Sequence, residues 1–468
     1  MGATEITDLY ERARELAGSG DDGAAKSAYM AVLRADPTHF AALTELGALA
    51  LASGHRQAAQ SAYRQAIRSH PVNPVGHVNL GTLHLQYGEP AAALHEYQAA
   101  LTISPDFAEA HQGLARAMCD LGQAEAAKPH FLRGFSGRSI VIQRYRGGGP
   151  PVTVLLLVSV RLGNVLVREI LDDRVFQVAA LYTEFHDPRQ PLPPHTVVFN
   201  AIGDADLCAE ALDHAQMVLE RTEAPVINPP ANVRRTGRIE IAARLAAIPG
   251  VIAPLTRLVK RQALRDAPDL RFPLLLRSPG FHMGQHFVRI EGREELDRSA
   301  ALPGDELLAI EYLDARGTDG RSRKYRVLFI DGVLYPLHLA IATDWKVHYF
   351  SADMAISQAF RDEERRFLED MAGTLDAKTM QALKAIEAIL GLDYAGIDFG
   401  LNASGEMLLF ESNATMAVVI PEKDAKWNYR RPAVEQIYKA VWTMLADRAR
   451  SKTALCNSDV TETRPSAA

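Results

Sequence analysis

Apolar and polar positions follow two rhythms along the chain, and the change falls near residue 150. Upstream, small and apolar residues recur inside a long period. Pro37, Pro71 and Pro105 are spaced by 34 residues, and the same spacing relates Gly20, Gly54, Gly88 and Gly122. It also relates Ala25, Ala59, Ala93 and Ala127, and again Tyr29, Tyr63, Tyr97 and Phe131; Leu46-Gly47 returns as Leu80-Gly81. A period of this length marks stacked pairs of helices, each pair unable to bury its apolar face alone. Gly47, Ala59, Gly81 and Ala93 let the two helices of a unit approach closely, and the aromatic four residues after each alanine fills the gap between units. Each proline ends a second helix.

Downstream the rhythm becomes strand-like. Val152–Val158 reads as a buried strand, followed by a helix over Leu162–Leu171. Strands follow at Phe176–Leu181, Thr196–Asn200 and Pro225–Asn228, with an amphipathic helix over Asp206–Leu219. Alternating strands and helices predict an α/β layer with parallel strands. No GxGxxG follows its first strand. Asn200 and Asp204 end a strand where ligands of α/β layers commonly sit, and a satisfied turn is the other reading of both. Arg238–Ala246 reads as a helix and Pro249–Pro254 as its break. Phe272–Arg277 is a strand running into the loop Ser278–His286, which carries Gly280, Gly284, His282 and His286. A cation at a strand end beside such a loop is a plausible phosphate clamp, although each histidine taken alone reads better as a turn residue with no chemistry. Leu307–Leu313, Lys324–Asp331 and Leu334–Ile341 form an antiparallel meander, and Ser357–Leu390 is largely helical. Arg326 lies inside an otherwise apolar strand, so it faces either solvent or an anion.

The meander and helix lead to Tyr394–Met416, where two apolar runs flank Ala403-Ser404-Gly405-Glu406 as in a β-hairpin. With those four residues in the loop, Asn402 faces Met407 and Asp398 faces Glu411. Opposed side chains lie roughly 4.5–5.5 Å apart, so two acids there need a cation between them or a proton on one. Asn413 adds a neutral oxygen on the same face. Asp398, Glu411 and Asn413 form a hard-oxygen set suited to Mg²⁺; the alternative is an ordinary hairpin with solvated acids.

Composition narrows the class. The chain has 468 residues, 47% hydrophobic and 23% charged, with a formal charge of −6. That length suggests about three domains, and the mild charge makes no case for nucleic acid. Cys119, Cys208 and Cys456 lack the paired spacing of a zinc site or a disulfide framework. No signal pattern opens the chain and no apolar run reaches membrane-spanning length, so the expected location is cytoplasmic, away from membranes. His77, His84, His95 and His111 are spread over different helices and are expected to be solvated ridge residues, open to a partner, not metal ligands.

The 34-residue pattern resembles the tetratricopeptide repeat over about residues 5–138, which implies a concave surface for a protein or peptide partner. Further on, the order of parts resembles the ATP-grasp fold. Its pieces are Asn228-Pro229-Pro230 with Thr236-Gly237-Arg238, the strand Phe272–Arg277 with its glycine loop, Ile310-Glu311-Tyr312-Leu313, Tyr325-Arg326-Val327 with Asp331-Gly332, Gly396-Ile397-Asp398-Phe399 and Phe410-Glu411-Ser412-Asn413. They are most similar to the branch of glutathione synthetases and ribosomal-protein glutamate ligases. The expected architecture is therefore multidomain: an all-α tetratricopeptide solenoid (1–138), a Gly/Pro linker (139–151), an α/β pre-grasp layer (152–230), an α+β ATP-grasp domain (231–450) and a disordered tail (451–468).

The resemblance implies an ATP-dependent carboxylate–amine ligase working through an acyl phosphate. ATP would lie against Glu311, Tyr312 and Leu313, with its phosphates held by Arg238, Arg277, Gly280 and Gly284. Mg²⁺ would lie on Asp398, Glu411 and Asn413, while Arg326 and Arg277 stabilise the acyl phosphate. Two departures from the family stand out. Arg238 and Arg277 occupy positions usually held by lysine, and arginine is bulkier and not interchangeable with it. Lys324 stands where an acidic ribose contact is common. A non-catalytic nucleotide-binding scaffold is the alternative these departures motivate. A kinase reading of Asp398-Phe399-Gly400 lacks the His-Arg-Asp loop it requires. The carboxylate and amine substrates stay unidentified, with Trp345, His348, Lys426, Arg430 and Arg431 as candidate contacts.

Overall fold

The computed structural model describes residues 2–167, 170–280, 286–347, 353–421 and 424–459. The chain divides into two units. One comprises Met1–Ile140, Arg144–Gly149 and Phe185–Asp187; the other comprises Val141–Gln143, Pro150–Glu184 and Pro188–Ala468.

The first unit is a run of helices: α1 (Ala3–Ser19), α2 (Asp22–Ala35), α3 (Phe40–Ala52), α4 (Arg56–Ser69), α5 (Pro74–Gln86), α6 (Pro90–Ile103), α7 (Ala108–Asp120) and α8 (Ala124–Phe135). The periodic glycines Gly20, Gly54, Gly88 and Gly122 close the first helix of each pair with φ between 70° and 81°, a left-handed turn that a side chain resists. The periodic aromatics pack on glycine. A Cβ on Gly47 would lie 2.4 Å from the Tyr63 ring, and one on Gly113 would lie 2.1 Å from the Tyr97 ring. Two of the four histidines expected on a solvated ridge are instead inside. His84 is 8% exposed and bonds Glu89 through Nδ1 at 2.7 Å, while His111 is 2% exposed and lies 2.8 Å from His130 Nδ1. Each gains a polar partner one helix away, which lets an imidazole enter a core.

The second unit begins with a five-stranded sheet in the order β1-β3-β2-β4-β5, formed by β1 (Ile140–Ile142), β2 (Val152–Val158), β3 (Phe176–Tyr182), β4 (Val197–Asn200) and β5 (Val226–Ile227). The strands from β2 to β5 pair in parallel, as the alternation predicted. The helix expected over Leu162–Leu171 does not form among the described residues. Gly163 takes φ 101°, and the Asn164 side chain bonds the backbone of Ser159 and Arg161, an alternative that outcompetes the helix ladder. The helices α9 (Ala209–Leu219), α10 (Pro230–Val233) and α11 (Arg238–Leu245) follow.

Two further sheets complete the unit. β7 (Thr256–Lys260), β10 (Glu306–Glu311), β8 (Leu274–Arg277) and β9 (Phe287–Ile290) form a small antiparallel sheet in that order. β12 (Val333–Ala342), β11 (Ser322–Ile330), β13 (Tyr394–Leu401), β14 (Met407–Asn413) and β6 (Val251–Ile252) form the other, with β6 joining β14 in parallel. The short strands β1 and β6 lie where the sequence suggested only a linker and a helix break. The helices α12 (Gln358–Glu369), α13 (Met371–Thr374) and α14 (Ala377–Leu390) precede β13. On one face of the larger sheet Tyr325 stacks on Phe399 at 5.2 Å and meets Phe367 of α12 edge-on. On the other face Leu328, Ile330 and Tyr394 enter a core shared with the parallel sheet and with Ile437, Val441 and Leu445 of α15 (Arg431–Asp459). That helix continues past Ser451, where the disordered tail was expected to begin; no glycine or proline interrupts it there.

Asn228 ties the parallel sheet to β13. Its φ is 55°, its amide donates to Tyr394 O (2.7 Å), and its side-chain oxygen accepts from Tyr394 N (2.8 Å). The side chain thus imitates a neighbouring strand for one residue.

Candidate functional site

The larger sheet carries one polar row across four strands. His338 of β12 pairs with Arg326 of β11, Arg326 with Asp398 of β13, and Asp398 with Glu411 of β14. Residues directly opposed in an antiparallel sheet share a face, so the row is a single line of side chains. The register breaks beside this row in both outer pairings, between Arg326 and Val327 and between Asp398 and Phe399. Such bulges re-aim side chains and are common beside functional sites. One of them corrects the hairpin argument. The turn places Leu401, not Asn402, opposite Met407; the extra residue Phe410 then restores Asp398 opposite Glu411.

Each acid of the row is already held. Arg326 grips Asp398 with two bonds, Nε to Oδ1 at 2.6 Å and Nη2 to Oδ2 at 2.8 Å, and Lys324 Nζ reaches Oδ2 at 3.1 Å. Burial opposes ionisation of Asp398, which is 3% exposed, but Arg326 and Lys324 outweigh it and hold the carboxyl far below the usual range. Glu411 Oε1 accepts from Arg238 Nη2 (2.7 Å) and from Asn413 Nδ2 (2.9 Å). Burial would again raise its pKa, yet Arg238 and Arg277 pull it below its ordinary value. Asn413 Oδ1 accepts from both Thr415 N (2.8 Å) and Thr415 Oγ1 (2.9 Å).

The cations come from separate elements. Arg238 opens α11, where its backbone N–H donates to Asp206 Oδ2 at 2.9 Å. Arg277 ends β8, and its pKa falls to about 10 through burial and then through the nearby Arg238 charge. Arg277 therefore lies within electrostatic reach of Arg238. Asp204 sits beside them, its Oδ1 accepting from Asp206 N and Leu207 N. Gly203, Asp204, Arg238, Glu411 and Asn413 all line one cleft. His338 stays neutral, because burial and the facing Arg326 both hold its pKa well below the ordinary histidine value.

Asp398, Glu411 and Asn413 have the hard-oxygen chemistry of a Mg²⁺ site. Yet both Asp398 oxygens carry cationic donors, Glu411 Oε1 carries two donors, and both lone pairs of Asn413 Oδ1 point at Thr415. A divalent ion would have to displace Arg326 or Arg238 and turn the Asn413 amide. As arranged, the set does not fit one.

The remaining expected residues are distributed as follows. Glu311 ends β10; its N–H donates to Leu255 O and its carboxylate accepts from Leu255 N, so it braces the small sheet. Tyr312 and Leu313 follow it, half-buried, with the Arg289 guanidinium 4.1 Å over the Tyr312 ring. Gly280 has φ 79° and faces Leu207. Gly284, His282 and His348 lie outside the described residues. Trp345 packs against Phe287 and Tyr312. Arg430 is 8% exposed and pairs with the fully buried Glu364 at 3.3 Å. Arg431 bonds Pro421 O, Lys426 pairs with Asp424, and Asn200 is a buried turn residue bonded to Asn228 O. Among residues the sequence reading did not place in the site, His338, Asp206 and Thr415 matter most. His338 and Asp206 are named by partners far along the chain, while Thr415 is named by Asn413, two residues before it.

Residues 44–108 and 84–133 match two models of the tetratricopeptide repeat. No curated protein matches the chain. Among solved structures, MamA is 22% identical, with a TM-score of 0.25, over 26% of this chain and 72% of that one. MamA from Desulfovibrio magneticus RS-1 gives 22%, 0.26, 28% and 73%. A tetratricopeptide repeat protein from Parabacteroides merdae gives 25%, 0.26, 28% and 53%. The N-terminal helices thus contain tetratricopeptide repeats over residues 44–133, and a mixed α/β region follows them.

Proposed function

We propose that residues 231–450 form an ATP-grasp domain and that the chain is an ATP-dependent carboxylate–amine ligase, its repeats holding a protein or peptide partner. The observation that supports this reading is the row Arg326–Asp398–Glu411, with Arg238 and Arg277 brought to it from α11 and β8. Arg238 in the cleft, with Arg277, Arg326 and Lys324 acting on the acids of the row, supplies positive charge that suits a triphosphate.

In the proposed reaction a substrate carboxylate oxygen attacks the γ-phosphorus, and the bond to the β–γ bridging oxygen breaks to release ADP. Arg326 and Arg277 hold the charge on the acyl phosphate. An amine nitrogen then attacks the acyl carbon, the bond to phosphate breaks, and the amine proton leaves with phosphate or solvent. No enzyme nucleophile takes part. The family resemblance also implies Mg²⁺, which Asp398, Glu411 and Asn413 as arranged do not fit, and no step above uses it.

ADP release that requires both a carboxylate and an amine is the expected activity, and Asp398→Asn and Glu411→Gln are expected to abolish it. Unchanged turnover in both variants would remove the assignment. The engaged carboxylates and the arginines at 238 and 277 favour one second reading, a nucleotide-binding scaffold without catalysis. ATP binding with no turnover across a broad panel of carboxylates and amines would select it.

A further inference from the structure

We propose that the segment Pro191–Pro194, in the connection between β3 and β4, is a docking motif for a partner domain whose groove is lined with aromatic rings. This surface is separate from the cleft and does not depend on the ligase reading. The chain there reads Asp187-Pro188-Arg189-Gln190-Pro191-Leu192-Pro193-Pro194-His195. Proline locks φ near −65°, and a residue before proline is pushed to extended backbone. Every residue from Gln190 to Pro194 is subject to one constraint or both, and together they favour a polyproline helix. The structure accordingly gives residues 191–195 neither helix, turn nor strand.

Exposure follows the same helix. A polyproline helix has three residues per turn, so positions three apart share an edge. Pro191 and Pro194 are exposed, whereas Leu192 and Pro193 between them are half-buried. Two exposed proline rings at that spacing form the PxxP edge that aromatic grooves accept. The inner side is fastened. Arg221 Nη2 donates to Gln190 O at 2.9 Å. His195 donates from Nδ1 to Pro193 O at 2.7 Å and accepts at Nε2 from Thr222 Oγ1 at 2.7 Å. Among the described residues nothing donates to the carbonyls of Pro191, Leu192 or Pro194, which leaves those acceptors to solvent or a partner. A segment fixed in this way avoids the ordering entropy that a flexible peptide loses on binding. Exposed Asp187 and Glu223 balance exposed Arg189 and Arg221 around it, so the proline rings and carbonyls, not net charge, carry the recognition.

Biolayer interferometry of the full chain over a panel of purified SH3 and WW domains tests this. At least one domain is expected to bind, and Pro191→Ala and Pro194→Ala are each expected to weaken that binding by about tenfold, the loss of one ring from its pocket. Both rings are exposed, so the unfolding temperature of either variant should stay at the wild-type value. A synthetic proline-rich peptide added in excess should release the wild-type chain from the domain, a readout that needs no variant. Binding that survives the peptide, or equal affinity in the wild type and both variants, would overturn the inference. Absence of binding across the whole panel would overturn it as well. None of these outcomes bears on the ligase reading, which stands or falls with nucleotide turnover.

Discussion

Asp398 shows how a single buried acid constrains its surroundings. Its two oxygens carry three cationic contacts, so removing it strands Arg326 and Lys324 in a low-dielectric site. Asp398→Ala is expected to cost about 3–5 kcal/mol, the range for breaking a buried pair from one side, measured by denaturant titration. The pH dependence has a definite sign. The folded-state pKa of Asp398 is depressed, so its contribution is present above the unfolded carboxyl pKa of roughly 3.9 and fades as pH falls toward the folded value. The stability gap between the wild type and Asp398→Asn should therefore be widest near neutrality and shrink below about pH 4. A gap constant down to pH 2 would contradict the pairing. At this scale the acids were legible from hairpin spacing, but only because Phe410 compensates a turn offset by one residue. Their occupation by Arg326 and Lys324 was not legible, since those partners lie 72 and 74 residues away.

Among the elements, helix pairs were the most readable because their information is local. The period placed the glycines and aromatics that meet in the repeats. It did not place Gly113 of α7, which receives the Tyr97 ring from the preceding helix α6. Gly113→Ala puts a Cβ 2.1 Å from that ring and is expected to cost about 1–3 kcal/mol or more as an overpacking strain. Tyr97→Leu in the same chain should recover part of that loss. Gly54→Ala, where nothing lies within 4 Å but φ is 76°, should cost about 1–2 kcal/mol from backbone conformation alone. Thermal unfolding of the three variants separates the two causes. In the α/β region, the two-residue strand β6 carries too few positions for a pattern, whereas β5 was legible at Pro225–Asn228. The helix expected after β2 lost to Gly163 and to side-chain bonds from Asn164, a competition that apolar spacing does not register.

For the whole molecule, the division into a helical unit and an α/β unit allows the proposed recruitment and the proposed chemistry to be tested apart. Removing residues 1–138 should leave ATP affinity within about twofold, since the cleft residues all belong to the second unit. The same truncation should sharply raise KM for a protein substrate while sparing a small amine. Equal effects on both would place the repeats in the fold of the α/β unit instead. Among the described residues no helix is long and apolar enough to cross a membrane.

The Asn228 clasp bears on when the α/β unit is able to fold. Its partner Tyr394 lies 166 residues downstream and opens β13, the strand between β11 and β14. The repeats close through contacts between neighbouring helices, which cost little loop entropy. The α/β unit must instead wait for β13 to emerge before Asn228 finds its backbone partner. During synthesis the repeats should therefore become protease-resistant early, while the chain from residue 150 onward stays sensitive until β13 and α15 are complete. Pulse proteolysis of stalled nascent chains would follow that delay directly, with resistance of the second unit arriving in one late step.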